Sequence, residues 1–420
     1  MKRLWQTICS QSGLIFYTAF NYFDKILTFG VPLIVLYIFE DKATYNEIEY
    51  IYSIAAIAGV LIELGVKNYF LYAYKEASDR DRLVTNVRDI FFLQFALYAG
   101  LGTIIIVPML WMKVQWTIAY FFILARTLFM YFLSFFAIYY RLIDKPSRIF
   151  ISSICVNAGT ILLLLVAHRW FEKIDLLYFF AGQMLLVAGV VFYFVFRRVK
   201  INLLDMTKFI RRSLFYAWPI VLNIFLFMFI NNYGKVYARN FLSADEMFQI
   251  SFVQRLALII QLAHSSAAAY LSKHIFIDVN DGVNTKIFSL YSIAMFVSTG
   301  LVFAALWGIN ILKLKETVNI DLVTILIVIY TIAWCYTAYF ELYVNKMNKN
   351  KFILAFSLVS AILFLAVLHF AWSQPLVNIT LAMTISMLCN LSLMLVFLFR
   401  KGNKKYVEKV LVAEYSDSAV

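Results

Sequence analysis

Residues 115–140 read QWTIAYFFILARTLFMYFLSFFAIYY, an apolar stretch with a single charge, Arg126, near its middle. The stretch is longer than the ~20 residues that an α-helix needs to cross the hydrocarbon core of a bilayer. A cation at that depth costs about 2.5 to 3.5 kcal/mol on insertion scales unless it faces protein or water. The stretch therefore predicts a membrane-spanning helix with one face turned towards a polar interior.

The rest of the chain has the composition of such helices. Of its 420 residues, 63% are hydrophobic and 15% are charged, whereas a soluble domain has about 25% charged residues. Apolar windows of about 20 residues predict about twelve spans. These are residues 14–39, 49–74, 90–110, 115–140, 149–167 and 176–196, then 213–238, 247–271, 287–312, 318–344, 352–372 and 376–399. The predicted fold class is an all-α polytopic membrane protein.

The most basic connection lies between the sixth and seventh spans and divides the chain into similar halves. The predicted organisation is an N-terminal six-helix bundle (1–196), a basic cytoplasmic linker (197–212), a C-terminal six-helix bundle (213–399) and a cytoplasmic tail (400–420), with a central cavity. LIELG at 61–65 resembles IIQLA at 259–263, each in the second span of its half. This favours a parallel repeat, with chance similarity between apolar helices as the alternative.

Basic residues predict the orientation, because cytoplasmic loops carry the excess of Lys and Arg. Of the 37 Lys and Arg, 25 fall on the side that holds both termini and 8 on the other side. Both termini are therefore expected in the cytoplasm. The charges are dispersed over short loops, so no nucleic-acid partner is expected. The opening residues lead into the first span without a small-residue cleavage site, so no cleavable signal peptide is expected.

The short loops leave no room for an extramembrane catalytic domain. The sequence contains no glycine loop that could cradle phosphates, no metal-binding His/Glu motif and no nucleophile elbow. Its cysteines, Cys9, Cys155, Cys335 and Cys389, lack metal-ligand spacing and are interpreted as small packing residues. We expect neither an enzyme nor a cofactor.

Charged residues inside the predicted spans are the strongest functional signal. There are six, and left in lipid they would cost on the order of 18 kcal/mol: Asp24, Lys25, Glu63, Lys67, Arg126 and Arg255. Their net charge is positive, which predicts a hydrated cationic cavity. Arg126 lies roughly 16 and 21 Å from the two ends of its span, too deep to snorkel. It either contacts an anion in the cavity or belongs to a buried ion pair.

The other charges each allow two interpretations. Asp24 and Lys25 point about 100° apart, so Lys25 is expected to face the cavity while Asp24 pairs with a cation on another helix; a packing network is the alternative. Glu63 and Lys67 have the i,i+4 spacing that pairs them on one helix face, or they act in function. Arg255 either faces the cavity or snorkels towards the outer leaflet.

Two further residues add polar character to the second half. His264 either relays protons or is hydrogen-bonded in packing, and the second interpretation is favoured. Lys235 extends a polar surface at the outer end of the seventh span. It is a candidate for substrate binding, although a plain interfacial anchor is the stronger interpretation.

Several stretches resemble one family. FDKILTFGVPLI at 23–34 and YNEIEYIYSI at 45–54 resemble the opening of Wzx-type flippases for O-antigen and capsule repeat units; YAWP at 216–219, NYGK at 232–235 and LSADE at 242–246 resemble their second half. The usual glycine beside the tyrosine is replaced here by Thr44 or Asn46. The resemblance runs through the whole chain as twelve spans and short loops.

This resemblance implies membership of the superfamily of multidrug, oligosaccharidyl-lipid and polysaccharide exporters, with two lobes and alternating access. The implied substrate is an oligosaccharide on undecaprenyl diphosphate, moved from the inner to the outer leaflet of a bacterial inner membrane. A polysaccharide polymerase and a chain-length regulator are implied partners, besides membrane lipids. Cationic residues expected to meet the diphosphate are Arg126, Lys25, Arg255, Lys67 and Lys235.

The energy source and two rival functions stay open. Asp24 and Glu63 are the carboxylates expected to couple transport to protons or sodium, or else to pair with other charges. A drug exporter of the same fold is the nearest alternative, but it would suit a cavity dominated by carboxylates. A membrane polymerase or ligase is less favoured, because such enzymes usually display a large outer loop.

Cysteine accessibility tests the orientation. In a variant without native cysteines, single cysteines at positions 41 and 173 should react with an impermeant maleimide in intact cells, because both positions lie in predicted outer loops. Cysteines at positions 80 and 349 should react only after permeabilisation. Labelling of position 349 in intact cells would contradict the predicted topology.

Overall fold

The computed structural model describes most of the chain. The described residues are 30–36, 42–66, 77–114, 116–142, 147–170, 176–195, 203–239, 241–277, 282–311, 320–347, 349–369 and 374–417, together with positions 23, 27, 69, 70, 73 and 74. All regular secondary structure in these ranges is helical. Asp24, Lys25 and Lys67, three of the predicted site residues, lie outside them.

Helices occur where the hydropathy predicts spans. A short helix, α1, covers residues 30–36 within the first predicted span. The others are α2 (Lys42–Ile62), α3 (Arg80–Trp111), α4 (Thr117–Leu142), α5 (Ser147–Trp170), α6 (Leu176–Val195), α7 (Leu203–Ala238), α8 (Ala244–Ile277), α9 (Thr285–Ile311), α10 (Leu322–Lys346), α11 (Asn350–His369) and α12 (Pro375–Asp417). Each of α2 to α12 overlaps one predicted span.

Eight of these helices, α3, α4, α5, α7, α9, α10, α11 and α12, are long and apolar enough to cross a membrane. Their exposed surface is rich in large apolar side chains: Trp111, Phe215 and Phe296 are each more than 80% exposed. Apolar side chains at that exposure suit contact with lipid. The predicted all-α, multi-pass membrane fold is confirmed.

Polar side chains set where several helices begin. Asp79 precedes α3 and accepts a hydrogen bond from the backbone N–H of Arg82 at 3.0 Å. Before α8, Ser243 and Glu246 form a reciprocal capping box, in which each residue's backbone N–H donates to the other's side chain. The LSADE stretch at 242–246 therefore has a local physical role as the start of α8.

Four helices continue well beyond the predicted apolar spans at ends predicted to be cytoplasmic, and α2 begins seven residues before its predicted span at a predicted outer end. α3 begins ten residues before residue 90 and α7 ten residues before residue 213, while α8 and α12 continue past residues 271 and 399. Residues 203–212 of the predicted basic linker are thus helical and continuous with α7. The apolar windows show where lipid begins and do not show where a helix ends.

The chain divides into two compact units, Met1–Met228 and Phe229–Val420, with the boundary inside α7. In the first unit α4 is central, packing against α2, α3, α5 and α6. Its contact with α3 is aromatic: the rings of Phe91 and Phe135 stack with centroids 3.9 Å apart and an interplanar angle of 6°.

In the second unit the central helix is α10, which packs against α8, α11 and α12. Tyr291 on α9 and Tyr339 on α10 stack at 4.2 Å. The pairs α2/α4, α4/α5, α4/α6 and α5/α6 of the first unit have counterparts in α8/α10, α10/α11, α10/α12 and α11/α12. The two units therefore share a pattern of helix packing.

One predicted span is not a continuous helix. Within residues 49–74 the helix ends at Ile62 and residues 63–65 form a turn, in which Leu64 has φ 48° and Gly65 has φ 68°. A Cβ atom on Gly65 would lie 2.4 Å from the Cβ of Ala217 on α7. Glycine thus permits both the left-handed backbone and the close approach of α7, which an apolar window cannot reveal.

Replacing Gly65 tests this turn. Gly65→Ala should lower the midpoint of thermal unfolding in detergent by several degrees, because the new Cβ meets Ala217 and a left-handed alanine costs roughly 1 to 2 kcal/mol. The matched control is Gly100→Ala in α3, where a Cβ would meet nothing within 4 Å. Alanine favours the helix there, so the control should be neutral or slightly stabilised, and equal destabilisation by both changes would contradict the assignment.

Candidate functional site

Arg126 lies in the interior of the first unit. It is on α4, the central helix, and is 5% exposed. Its guanidinium carbon lies 3.6 Å from the ring centroid of Tyr52 on α2 and 4.8 Å from that of Phe129 one turn further along α4. A desolvated cation–π contact is worth about 2 kcal/mol. The guanidinium is therefore held where α2 packs against α4.

Glu49 is a buried carboxylate that the hydropathy pattern did not reveal. It is 2% exposed and shares a buried face of α2 with Tyr45 and Tyr52, at the i, i+4 and i+7 spacing of one helix face. The apolar window placed the start of the second span at Glu49, whereas α2 begins seven residues earlier, at Lys42. The same face of α2 thus carries a carboxylate and the aromatic ring that meets Arg126.

The turn after α2 is surrounded by hydrogen-bond donors. The carbonyl of Ile62 accepts from Nε2 of Gln94 at 3.1 Å and from the hydroxyl of Tyr98 at 2.8 Å, both on α3. The hydroxyl of Tyr131 on α4 donates to Oε1 of Gln94 at 2.7 Å. A carbonyl released by a helix end inside a membrane must be satisfied by protein, and this network satisfies it.

Glu63 is the first residue of the turn, and its carboxylate accepts a hydrogen bond from the Ser134 hydroxyl on α4. Because residues 63–65 leave the helix, the i,i+4 argument that pairs Glu63 with Lys67 on one helix face no longer holds. Ser134 lies two turns beyond Arg126 on α4, about 12 Å along the helix axis. Arg126 and the carboxylate of Glu63 therefore lie at different levels along α4.

In the second unit His264 joins three helices. Its Nδ1 lies 2.7 Å from the hydroxyl of Tyr291 on α9, and that hydroxyl donates to the carbonyl of Cys335 on α10 at 2.8 Å. Since the only phenolic proton is used there, Nδ1 must carry a proton and donate it. The imidazole also meets Trp334 edge-on at 5.6 Å. This geometry fits the favoured interpretation of His264 as a hydrogen-bonded packing residue.

Lys235 and Arg255 also belong to the second unit. Lys235 on α7 is 6% exposed, so it is an interior residue and not the exposed interfacial anchor that the sequence favoured. Next to it, Gly234 allows Ile379 of α12 to approach within 2.6 Å of where a Cβ would stand. Arg255 on α8 is half-buried.

The structure thus assigns the predicted site residues to separate units. Arg126 and Glu63 lie in the first, and Arg255 and Lys235 in the second. Within the described ranges, no group of three or more His, Cys, Asp or Glu side chains could hold a metal ion. Each unit contains a buried cation on a helix, Arg126 in the first and Lys235 in the second, and the first unit also contains the buried carboxylate of Glu49.

Comparison with known proteins identifies the fold. No protein-family profile matches the sequence, and no curated protein matches it. Among solved structures, the chain resembles the lipid II flippase MurJ in an inward closed conformation, with a TM-score of 0.64 and 12% identity over 96% of this chain and 93% of that one.

Two multidrug transporters are similar as well. An inward-facing transporter of the MATE family, in the MOP superfamily, gives a TM-score of 0.59 at 12% identity over 90% of this chain and 95% of that one. The MATE multidrug transporter DinF-BH gives a TM-score of 0.53 at 13% identity, over 92% of this chain and 91% of that one. The chain therefore has the fold of these transporters.

A double-mutant cycle tests the contact between Arg126 and Tyr52. Arg126→Met and Tyr52→Leu should each destabilise the protein, and their effects should be less than additive, with a coupling of about 1 to 2 kcal/mol. The stability of Tyr52→Phe should stay close to that of the wild type, because the aromatic ring that contacts Arg126 remains. The readout is unfolding in detergent, with Arg169→Met, an exposed arginine on α5, as control; strictly additive effects would show that the two side chains do not interact.

Proposed function

We propose that this protein is a flippase that moves an anionic lipid-linked oligosaccharide from the inner to the outer leaflet of a bacterial inner membrane by alternating access. The observation that carries the proposal is the fold shared with a lipid II flippase over nearly the whole chain. The proposed substrate is a repeat unit of O-antigen or capsule on undecaprenyl diphosphate. A polymerase and a chain-length regulator are proposed as partners that act on the product.

Buried positive charge supports an anionic substrate. Arg126 in the first unit and Lys235 in the second are more than 90% buried, and a planar guanidinium can bind a diphosphate through two parallel hydrogen bonds. Glu49 and Lys235 add one interior charge of each sign to the six predicted from sequence, so the balance stays positive. Arg126, Lys235 and Arg255 are therefore our proposed substrate-binding cations, with Lys25 and Lys67.

Membrane potential supports the proposed direction. Moving negative charge out of a cell with a negative interior gains about 2.3 kcal/mol per charge for each 100 mV. If a proton or sodium gradient contributes, the carboxylates to test are Asp24 and Glu63, and Glu49 joins them because it is buried in α2. Glu63 is the most informative of the three, since it combines a hydrogen bond to α4 with a position at the turn.

A second candidate is a multidrug exporter. The specific observation in its favour is the similarity to two multidrug transporters above a TM-score of 0.5. The sign of the interior charge argues against it where the drug is a cation, because Arg126, Lys235 and Arg255 would repel such a substrate.

Complementation distinguishes the two functions. In a strain that lacks its own repeat-unit flippase, the wild-type chain should restore surface polysaccharide without raising drug resistance. The Arg126→Met variant should not restore surface polysaccharide even at normal membrane abundance. Arg126→Lys should restore it only in part, because lysine keeps the positive charge but lacks the planar guanidinium that forms two parallel hydrogen bonds. Increased drug resistance without surface polysaccharide would favour the exporter and overturn the flippase.

The packing of Arg126 on Tyr52 requires a control, because a loss of structure would also abolish export. Tyr52→Leu removes the same ring contact and keeps the cation, so it should retain more export than Arg126→Met at equal abundance. Equal failure of these two variants would show that Arg126 acts through packing. Arg169→Met, which removes an exposed arginine from α5, should leave export unchanged.

A further inference from the structure

The first unit has an open groove of about 890 Å³ that none of the functions above uses. One wall is Tyr69, which follows the turn after α2, and the other is the beginning of α7. The lining residues are Tyr69, Lys208, Arg211, Arg212, Leu214, Phe215 and Tyr216. Three cations and four apolar or aromatic side chains thus face one cavity.

Both walls of the groove are fixed by contacts within the first unit. The ring of Tyr69 meets Phe209 edge-on at 5.0 Å and Tyr216 at 5.9 Å. The Ser213 hydroxyl donates to the carbonyl of Leu64 at 2.9 Å, which ties α7 to the turn. These contacts hold the two walls of the groove together within the first unit.

One face of α7 carries a cluster of cationic side chains followed, one turn later, by an exposed aromatic side chain. Lys208, Arg211 and Arg212 stand at i, i+3 and i+4, and Phe215 lies on the same face one turn later. All four are exposed, Phe215 to 86%. At 1.5 Å per residue the ring lies about 5 to 10 Å deeper along the helix than the cations.

This order matches the layers of a leaflet. The predicted apolar span of α7 begins at residue 213, directly after the three cations, and the basic end of the helix is the predicted cytoplasmic end. The three cations should therefore lie at the level of lipid headgroups, with Phe215 and Tyr216 beside the upper acyl chains. Basic clusters at this level attract acidic lipids of the cytoplasmic leaflet.

We propose that the groove binds one acidic glycerophospholipid of the cytoplasmic leaflet, with its phosphate against Lys208, Arg211 and Arg212 and an acyl chain along Phe215. A zwitterionic lipid carries its own cation and would be repelled in part by the same three side chains. The site does not depend on what the protein transports, so its failure and that of the proposed function are separable.

Native mass spectrometry of the full chain in detergent tests the proposal. Phosphatidylglycerol should bind at least tenfold more tightly than phosphatidylcholine with the same acyl chains. The variant K208Q/R211Q/R212Q should lose this preference. The control K349Q/K351Q/R400Q removes three exposed cations from the second unit and should keep it.

The apolar half of the groove has its own test. Phe215→Ala should weaken the binding of both lipids, because the chain contact is lost whatever the headgroup. Phe296→Ala on α9, which is equally open at 81% exposure, should weaken neither. An equal effect of the two changes would show that Phe215 is only one of many lipid-facing side chains and would overturn the acyl-chain contact.

Three outcomes would overturn the headgroup site. Equal loss of binding in the two triple variants would mean diffuse attraction to a basic protein. Unchanged preference for phosphatidylglycerol in K208Q/R211Q/R212Q would place the lipid elsewhere. Tight binding of undecaprenyl phosphate at the groove, with no binding of phosphatidylglycerol, would assign the groove to an isoprenoid phosphate.

Discussion

A backbone carbonyl that leaves its helix inside a bilayer must find a donor within the protein, because lipid offers none. The turn at residues 63–65 creates this demand in the first unit. Gln94 and Tyr98 of α3 donate to Ile62, and Ser213 of α7 donates to Leu64. Satisfying the turn thus joins α2 to two other helices, and Gly65 gives α7 the space to approach.

The same constraint governs the charges. Arg126 and Glu49 are almost completely buried, and each is shielded from lipid by the packing of α2 on α4. The aromatic face of Tyr52 substitutes for water over the guanidinium. A buried cation held in this way is costly to remove by itself, since its surroundings have been arranged around the charge.

The sequence was sufficient to predict the membrane-spanning helices. It was not sufficient to predict the turn at Gly65 or the burial of Glu49 within them. Hydropathy located α2 to α12 because lipid imposes a minimum length and composition on each helix. It missed the turn at Gly65, since three residues hardly change the mean of a twenty-residue window. It also missed the burial of Glu49, because a carboxylate near the start of an apolar window is usually interpreted as the end of the membrane-spanning segment. The spacing of Tyr45, Glu49 and Tyr52 on one helix face is the signal that could have revealed it.

Local interactions were partly predictable where the chemistry of a side chain allows few kinds of partner. A histidine between apolar neighbours needs a partner, and Tyr291 supplies it. Lys235 shows the limit of this reasoning: a lysine near the end of a span usually snorkels, yet here it is buried beside a glycine that allows α12 to approach. Whether a long cation reaches water or turns inward depends on a neighbouring helix, which one helix's sequence does not contain.

The two units use one packing pattern for different chemistry. Each has its fourth helix, α4 or α10, at the centre and an aromatic stack that joins it to the preceding helix. α4 has a buried charge near its middle, Arg126, whereas no buried residue of α10 is charged, and Tyr330 of α10 donates a hydrogen bond to Asn231 at 3.1 Å. The central helix of the second unit thus packs without a buried charge. The charge on α4 is therefore not required by the packing pattern itself, and this is the physical reason to look for its role in the binding of an anion.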